Sequence, residues 1–230
     1  QRKKVLHNLK FVSLTDFGPD LDSIVSAFPA PDLVDTIPMA LRPLRQLYIA
    51  ESEKYAHVTY FLNGGNDHPV NGEVWQKIPS PQDSDYTKSP QMGAVQIVDY
   101  ILDQVAKTTY DIYILNFANA DMLGHTGNFS VTIQAVESID QQIGRLWDGL
   151  QAADPNSILF ITADHGNAEE MINLTTKEID TEHSVNLVPF IITKPGLVLR
   201  SGGGLTNVVP TMLNVLGLPQ PKKMTAESLC

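Results

Sequence analysis

Apolar residues gather in short blocks along this chain, separated by polar and turn-forming stretches. Blocks of strand length occupy residues 11–14, 47–50, 58–62, 112–117, 158–162 and 188–192. Each is short and bounded by polar positions, which predicts a buried strand. Two longer stretches have a helical period instead. Met92, Val95, Val98, Leu102 and Val105 recur every three or four positions, and so do Val136, Ile139, Ile143, Leu146 and Leu150. Asp140 and Arg145 fall among the polar positions of the second stretch, as on an amphipathic helix. Gly149 predicts its end, and Asp154-Pro155 closes the turn after it. A last helix is expected over 206–216, stopped by Gly217. Strands alternating with helices predict an α/β fold on a mostly parallel sheet, whose ligands bind beyond the carboxyl ends of the strands. Residues 63–90 follow neither period and are rich in Gly, Asn, Asp, Ser and Pro. They predict either a small hairpin excursion or a functional loop.

Composition narrows the classes. The chain has 230 residues, 43% hydrophobic and 18% charged. A chain of that size buries about 70% of its unfolded surface and needs no disulfide or metal staple. Acidic residues number 26 and basic residues 16, a net charge of −10. That balance argues against nonspecific nucleic-acid binding, while a few cations focused in a pocket can still hold a phosphate. No apolar stretch approaches the length of a membrane span, so neither a nucleic acid nor a membrane is expected as a partner. The single cysteine, Cys230, permits no intrachain disulfide, and a reducing, cytoplasmic setting is expected.

Candidate chemistry clusters around three of the predicted strands. After 112–117 comes Ala118-Asn119-Ala120-Asp121-Met122-Leu123-Gly124-His125-Thr126-Gly127. After 158–162 comes Ala163-Asp164-His165-Gly166-Asn167, and Thr181-Glu182-His183-Ser184 precedes 188–192. Carboxylate oxygen with imidazole nitrogen suits Zn²⁺, Mn²⁺ and similar ions. Asp121 and His125 are four apart, so one helical turn puts both on the same face. Asp164 and His165 are adjacent and reach a common ion only if the backbone turns, which Gly166 permits. Spacing alone leaves a metal site and ordinary caps and turns as alternatives. Asp16-Phe17-Gly18 matches a kinase metal-binding triplet, but no glycine-rich phosphate loop accompanies it, and it reads as a turn after a strand.

Longer strings carry a resemblance. Leu115-Asn116-Phe117-Ala118-Asn119-Ala120-Asp121-Met122-Leu123-Gly124-His125-Thr126-Gly127 and Thr162-Ala163-Asp164-His165-Gly166-Asn167 resemble the cofactor-independent phosphoglycerate mutases. So do Glu51-Ser52-Glu53-Lys54-Tyr55-Ala56-His57-Val58-Thr59 with Asn63-Gly64-Gly65, and Met224-Thr225-Ala226-Glu227-Ser228-Leu229. The resemblance implies an alkaline-phosphatase-like α/β fold and interconversion of 3-phosphoglycerate and 2-phosphoglycerate through a phosphoserine enzyme. It implies two divalent ions, Mn²⁺ first, with Zn²⁺, Co²⁺ and Mg²⁺ as alternatives. By motif, Asp121, His125 and His183 match the ligands of one ion, Asp164 and His165 ligands of the other, and Lys54 the lysine beside the phosphoryl group.

Departures from the family matter equally. Its members are about twice as long. They open with a strand ending in a metal-binding aspartate, then the nucleophilic serine, then an inserted transferase domain with arginines for the phosphoglycerate. None of these matches a string here, so residues 1–230 are expected to be a C-terminal portion of the phosphatase-like domain, lacking its first strand. Its implied partners are phosphoglycerate and the missing N-terminal half. The family's Gly-Glu-Asp-Arg string reads Gly72-Glu73-Val74-Trp75. Two functions follow: an incomplete part of a mutase, or a shorter homologue acting as a metal-binding module or metal-dependent phosphatase.

Overall fold

The computed structural model describes residues 9–15, 25–29, 33–83 and 85–230. These fall into two compact units, Gln1–Leu33 and Val34–Cys230. In the first unit β1 (Val12–Ser13) pairs in parallel with β2 (Val25–Ser26). The Asp16-Phe17-Gly18 triplet lies outside the described residues.

The second unit begins with α1 (Ile37–Ala40) and the six-residue strand β3 (Gln46–Glu51). Every residue of β3 is buried, which requires neighbours on both edges and both faces. Its edges pair in parallel with β4 (Val74–Ile78) and β5 (Ile112–Leu115), giving the order β4-β3-β5. One face is covered by α2 (Ala94–Ala106) and α4 (Phe129–Ala153). Leu47 and Ile49 of β3 form a core with Ile97, Val98 and Ile101 of α2 and Leu146 of α4. Each such side chain contributes about 1.5–3 kcal/mol on full burial. Between β5 and α4 lies the short helix α3 (Asn119–Gly124), seated by a second cluster of Met92, Ala118, Leu123 and Ala135. Next come β6 (Phe160–Thr162) and β7 (Phe190–Ile192), an antiparallel pair, the exception to the parallel rule. The chain closes with α5 (Val208–Leu216), capped by Gly217 at φ +68°.

Three expectations need correction. Residues 58–62 are not a strand: His57–Phe61 forms one turn of π-helix. The buried positions Lys54, Val58, Thr59 and Asn63 step four, one and four, a helical face that the apolar run conceals. Residues 63–90 are neither a hairpin nor only a loop, because β4 lies within them and joins the main sheet in parallel. As a sheet edge β4 is half exposed and laced with Gln76 and Lys77, so its apolar signal is weak. The third concerns Gly149, which does not end α4. A methyl group there would stand 2.3 Å from Leu102 Cδ2, so this glycine serves the close crossing of α4 and α2, and the helix runs on to Ala153.

Candidate metal centre

The carboxyl ends of β3, β5 and β6 carry the chemistry. Beyond β3, Ser52–Lys54 makes a 3-10 turn that buries Lys54. Beyond β5, α3 carries Asp121 in its first turn, and His125 caps its end. Beyond β6 the backbone bends at Asp164 and His165, which brings His165 Nε2 to 3.5 Å from Asp164 Oδ2. His183 lies on the segment before β7, next to the Gly166–Ser184 bridge.

Asp121 is the hub. Lys54 Nζ stands 2.5 Å from its Oδ2. Its Oδ1 lies 3.1 Å from His125 Nε2 and 3.2 Å from His183 Nε2, and the two imidazole nitrogens are 3.1 Å apart. Asn167 donates its side-chain N–H to the same Oδ1 at 2.9 Å. The His165 ring stacks on His183 at 3.7 Å, and ligand atoms of Asp121, His165 and His183 lie within 4.8 Å of one another. Burial alone would raise the Asp121 pKa, but the Lys54 ammonium, His125 and the Asn167 amide outweigh it and hold the carboxyl below its ordinary range.

The donor set fits a divalent cation. His125 Nδ1 is 2.7 Å from the Thr181 carbonyl, which can only accept. In the neutral imidazole the proton therefore belongs on Nδ1, which leaves a lone pair on Nε2 facing Asp121 Oδ1. Lone pair and carboxylate oxygen at 3.1 Å repel unless a cation or proton is shared between them. Ligand atoms on one ion with bonds of about 2.0–2.2 Å stand about 3.0–3.5 Å apart. The three edges of 3.1, 3.1 and 3.2 Å fall in that range.

Other groups surround the hub. Trp75 meets Tyr55 edge-on at 6.4 Å, so it packs beside the Lys54 turn. His57 has a lowered pKa, first from burial and then from the Lys54 charge, and Asp164, Asp121 and His165 also act on it. Glu169 gathers hydrogen bonds from Ser184, Asn186 and the Asn167 backbone, which overcome desolvation and hold it at about 2. Sequence reasoning passed over Asn167, Glu169 and His57. Asn167 and His57 lie inside the quoted strings, but an amide is no ligand and an isolated histidine carries no spacing signal.

Residues 28–220 match the model of the Metalloenzyme superfamily. The chain belongs to that superfamily. Among its relatives, the 2,3-bisphosphoglycerate-independent phosphoglycerate mutase of Nitrosococcus oceani is 44% identical over 223 residues, covering 96% of this chain and 43% of the relative. That of Clostridium botulinum is 42% identical over 225 residues, covering 96% and 44%. A Leishmania mexicana phosphoglycerate mutase crystallised at low cobalt concentration superposes with a TM-score of 0.82 at 25% identity, covering 99% of this chain and 46% of that one. This superfamily member thus spans less than half the length of the relatives it matches. Among the described residues no helix is long and apolar enough to cross a membrane.

Proposed function

We propose that this chain is the metal-holding part of a phosphoglycerate mutase interconverting 3-phosphoglycerate and 2-phosphoglycerate. Asp121, His125 and His183 hold one divalent ion and Asp164 with His165 contribute to a second, with Mn²⁺ the first candidate. The observation that carries this reading is the triangle of Asp121 Oδ1, His125 Nε2 and His183 Nε2, with edges of 3.1–3.2 Å beside the buried Lys54. The mutases among the relatives give the substrate class.

When bound, the ions supply Lewis-acid polarisation of phosphoryl oxygens during an in-line displacement. The protein's own groups do the rest. Thr181 fixes the His125 tautomer by accepting its Nδ1–H. Lys54 brings an ammonium to the edge of the site, where it offsets charge on a phosphoryl group. The hydroxyls beside the ligands are each oriented by a partner outside the triangle: Ser184 donates to Glu169, and Thr126 donates to the Leu123 carbonyl at 2.6 Å. A nucleophile and the glycerate-positioning groups are therefore expected from the part of the relatives this chain does not match, and the single Cys230 suits a cytoplasmic setting.

Coverage of less than half of the mutase relatives favours a second reading, a metal-binding module or a phosphatase that acts without mutase turnover. A coupled assay from 3-phosphoglycerate with Mn²⁺ separates the two. It is run on the chain alone and on a chimera joining it to the preceding portion of the Nitrosococcus oceani relative. Turnover by the chimera, lost in Asp121→Ala, supports the mutase reading. A chimera that binds Mn²⁺ with native stoichiometry yet never turns over 3-phosphoglycerate supports the second.

A further inference from the structure

Asp121 has to present one oxygen to two imidazoles, and a carboxylate is free to rotate unless both oxygens are held. Lys54 holds Oδ2. Among the described residues the one donor of fixed protonation on Oδ1 is the Asn167 amide, at 2.9 Å. Asn167 is 5% exposed, and its Nδ2 also lies 3.4 Å from both ring nitrogens of His125. A neutral amide orients the carboxylate without adding the charge that a second ammonium would set against a cation.

Asn167 is itself anchored. Its backbone N–H donates to Glu169 Oε2 at 2.8 Å. Glu169 Oε1 accepts from Ser184 Oγ and from Asn186 Nδ2, and the Ser184 N–H donates to the Gly166 carbonyl at 2.9 Å. One turn, residues 166–169, thus ties α3 to the segment that carries His183.

We propose that Asn167, anchored by Glu169, is the positioning residue that sets the Asp121 carboxylate and with it the alignment of His125 and His183. This rests on the reading of those three residues as holders of a divalent ion. Removing a partner that orients a ligand typically lowers affinity about 10–100-fold. Asn167→Ala takes away only the side-chain donor, since the backbone N–H to Glu169 remains. Glu169→Ala removes the anchor and leaves Asn167 in place.

Three measurements on the 230-residue chain test the assignment: Co²⁺ titration, the visible absorption of the Co²⁺-saturated protein, and imidazole ¹H–¹⁵N spectra of the metal-free protein. Asn167→Ala is expected to weaken Co²⁺ binding about 10–100-fold, to change the Co²⁺ absorption, and to shift the His125 and His183 signals. Glu169→Ala shifts the same signals by less. A variant with a lowered melting temperature but unchanged Co²⁺ absorption and imidazole signals has lost only packing, and that overturns the proposal. Unchanged Co²⁺ affinity overturns it too. If Asn167→Ala fails to fold, Glu169→Ala decides on the same readouts. If the wild-type chain binds no Co²⁺, the metal reading fails, and the metal-free imidazole signals still decide whether Asn167 positions Asp121.

Discussion

Gly124 and Asn167 fit each other as backbone to side chain: a methyl group on Gly124 would stand 2.1 Å from Asn167 Oδ1 and 2.8 Å from its Cγ. Gly124 closes α3 one residue before His125, so crowding there disturbs Asn167 and the histidine together.

Gly124→Ala is therefore expected to destabilise by about 1–3 kcal/mol, the usual cost of overpacking, and to weaken divalent binding as well. Gly144 of α4 is the control. It is exposed with nothing within 4 Å of an added methyl, so Gly144→Ala should stabilise by about 0.5–1 kcal/mol through helix propensity. Urea denaturation of both variants checks the contrast in sign.

The Lys54–Asp121 pair is mostly buried, with side-chain exposures of 8% and 14%. Asp121→Ala strands the ammonium, which is expected to cost about 3–5 kcal/mol in the metal-free chain. Adding Lys54→Met removes the stranded charge and should recover most of that loss. Denaturant midpoints in the presence of a chelator measure both steps.

The two proposed ions should differ in affinity. Asp121 is largely shielded, whereas the Asp164 side chain is 54% exposed and has one neighbouring ligand candidate within the bend, His165. Fewer protein ligands leave more water on the ion and weaker binding. Calorimetric titration with Mn²⁺ should show a tight and a weak step. Asp164→Ala should remove the weak one and Asp121→Ala the tight one. Two equal steps would contradict the assignment.

Glu51 is fully buried at the end of β3, with Oε2 accepting from the Gly93 N–H at 3.2 Å and Oε1 without a hydrogen-bond partner among the described residues. Desolvation raises its pKa above the ordinary 4.5, only partly offset by neighbouring hydrogen bonds. The folded state thus holds this proton more tightly than the unfolded chain. Its contribution is present below the unfolded value and is lost as pH rises from there through the raised folded value. Glu51→Gln keeps an acceptor for Gly93 and removes the titration. The urea midpoint of the variant should gain on the wild type between pH 4 and pH 8. Parallel profiles would show that Glu51 does not set this slope.

The legible parts of the fold were those where a single periodicity governs burial. The buried strand β3 reads as an apolar run, and α2 and α4 read as stripes. The hidden parts mix two demands. In β4, Val74 and Lys77 face outward on a sheet edge, so a strand looks like a loop. At 57–61, β-branched residues that favour strands are wound into a turn because Lys54 and Val58 must share one buried side. For the candidate site, ligand-type residues stood out because carboxylates and imidazoles cluster after strands. Their supports did not, since an amide such as Asn167 is visible only when its distance to Asp121 is known.

The hub joins groups far apart along the chain, from Lys54 to Asp121 and on to His183. Contacts of such sequence separation close late, after the loops between them have lost their entropy. The long helix α4 and the strand β6 both lie between Asp121 and His183, so the triangle closes only across the segment that contains them. Competence to bind a cation therefore doubles as a timer of folding: during refolding, Co²⁺ colour should develop after helical ellipticity has returned.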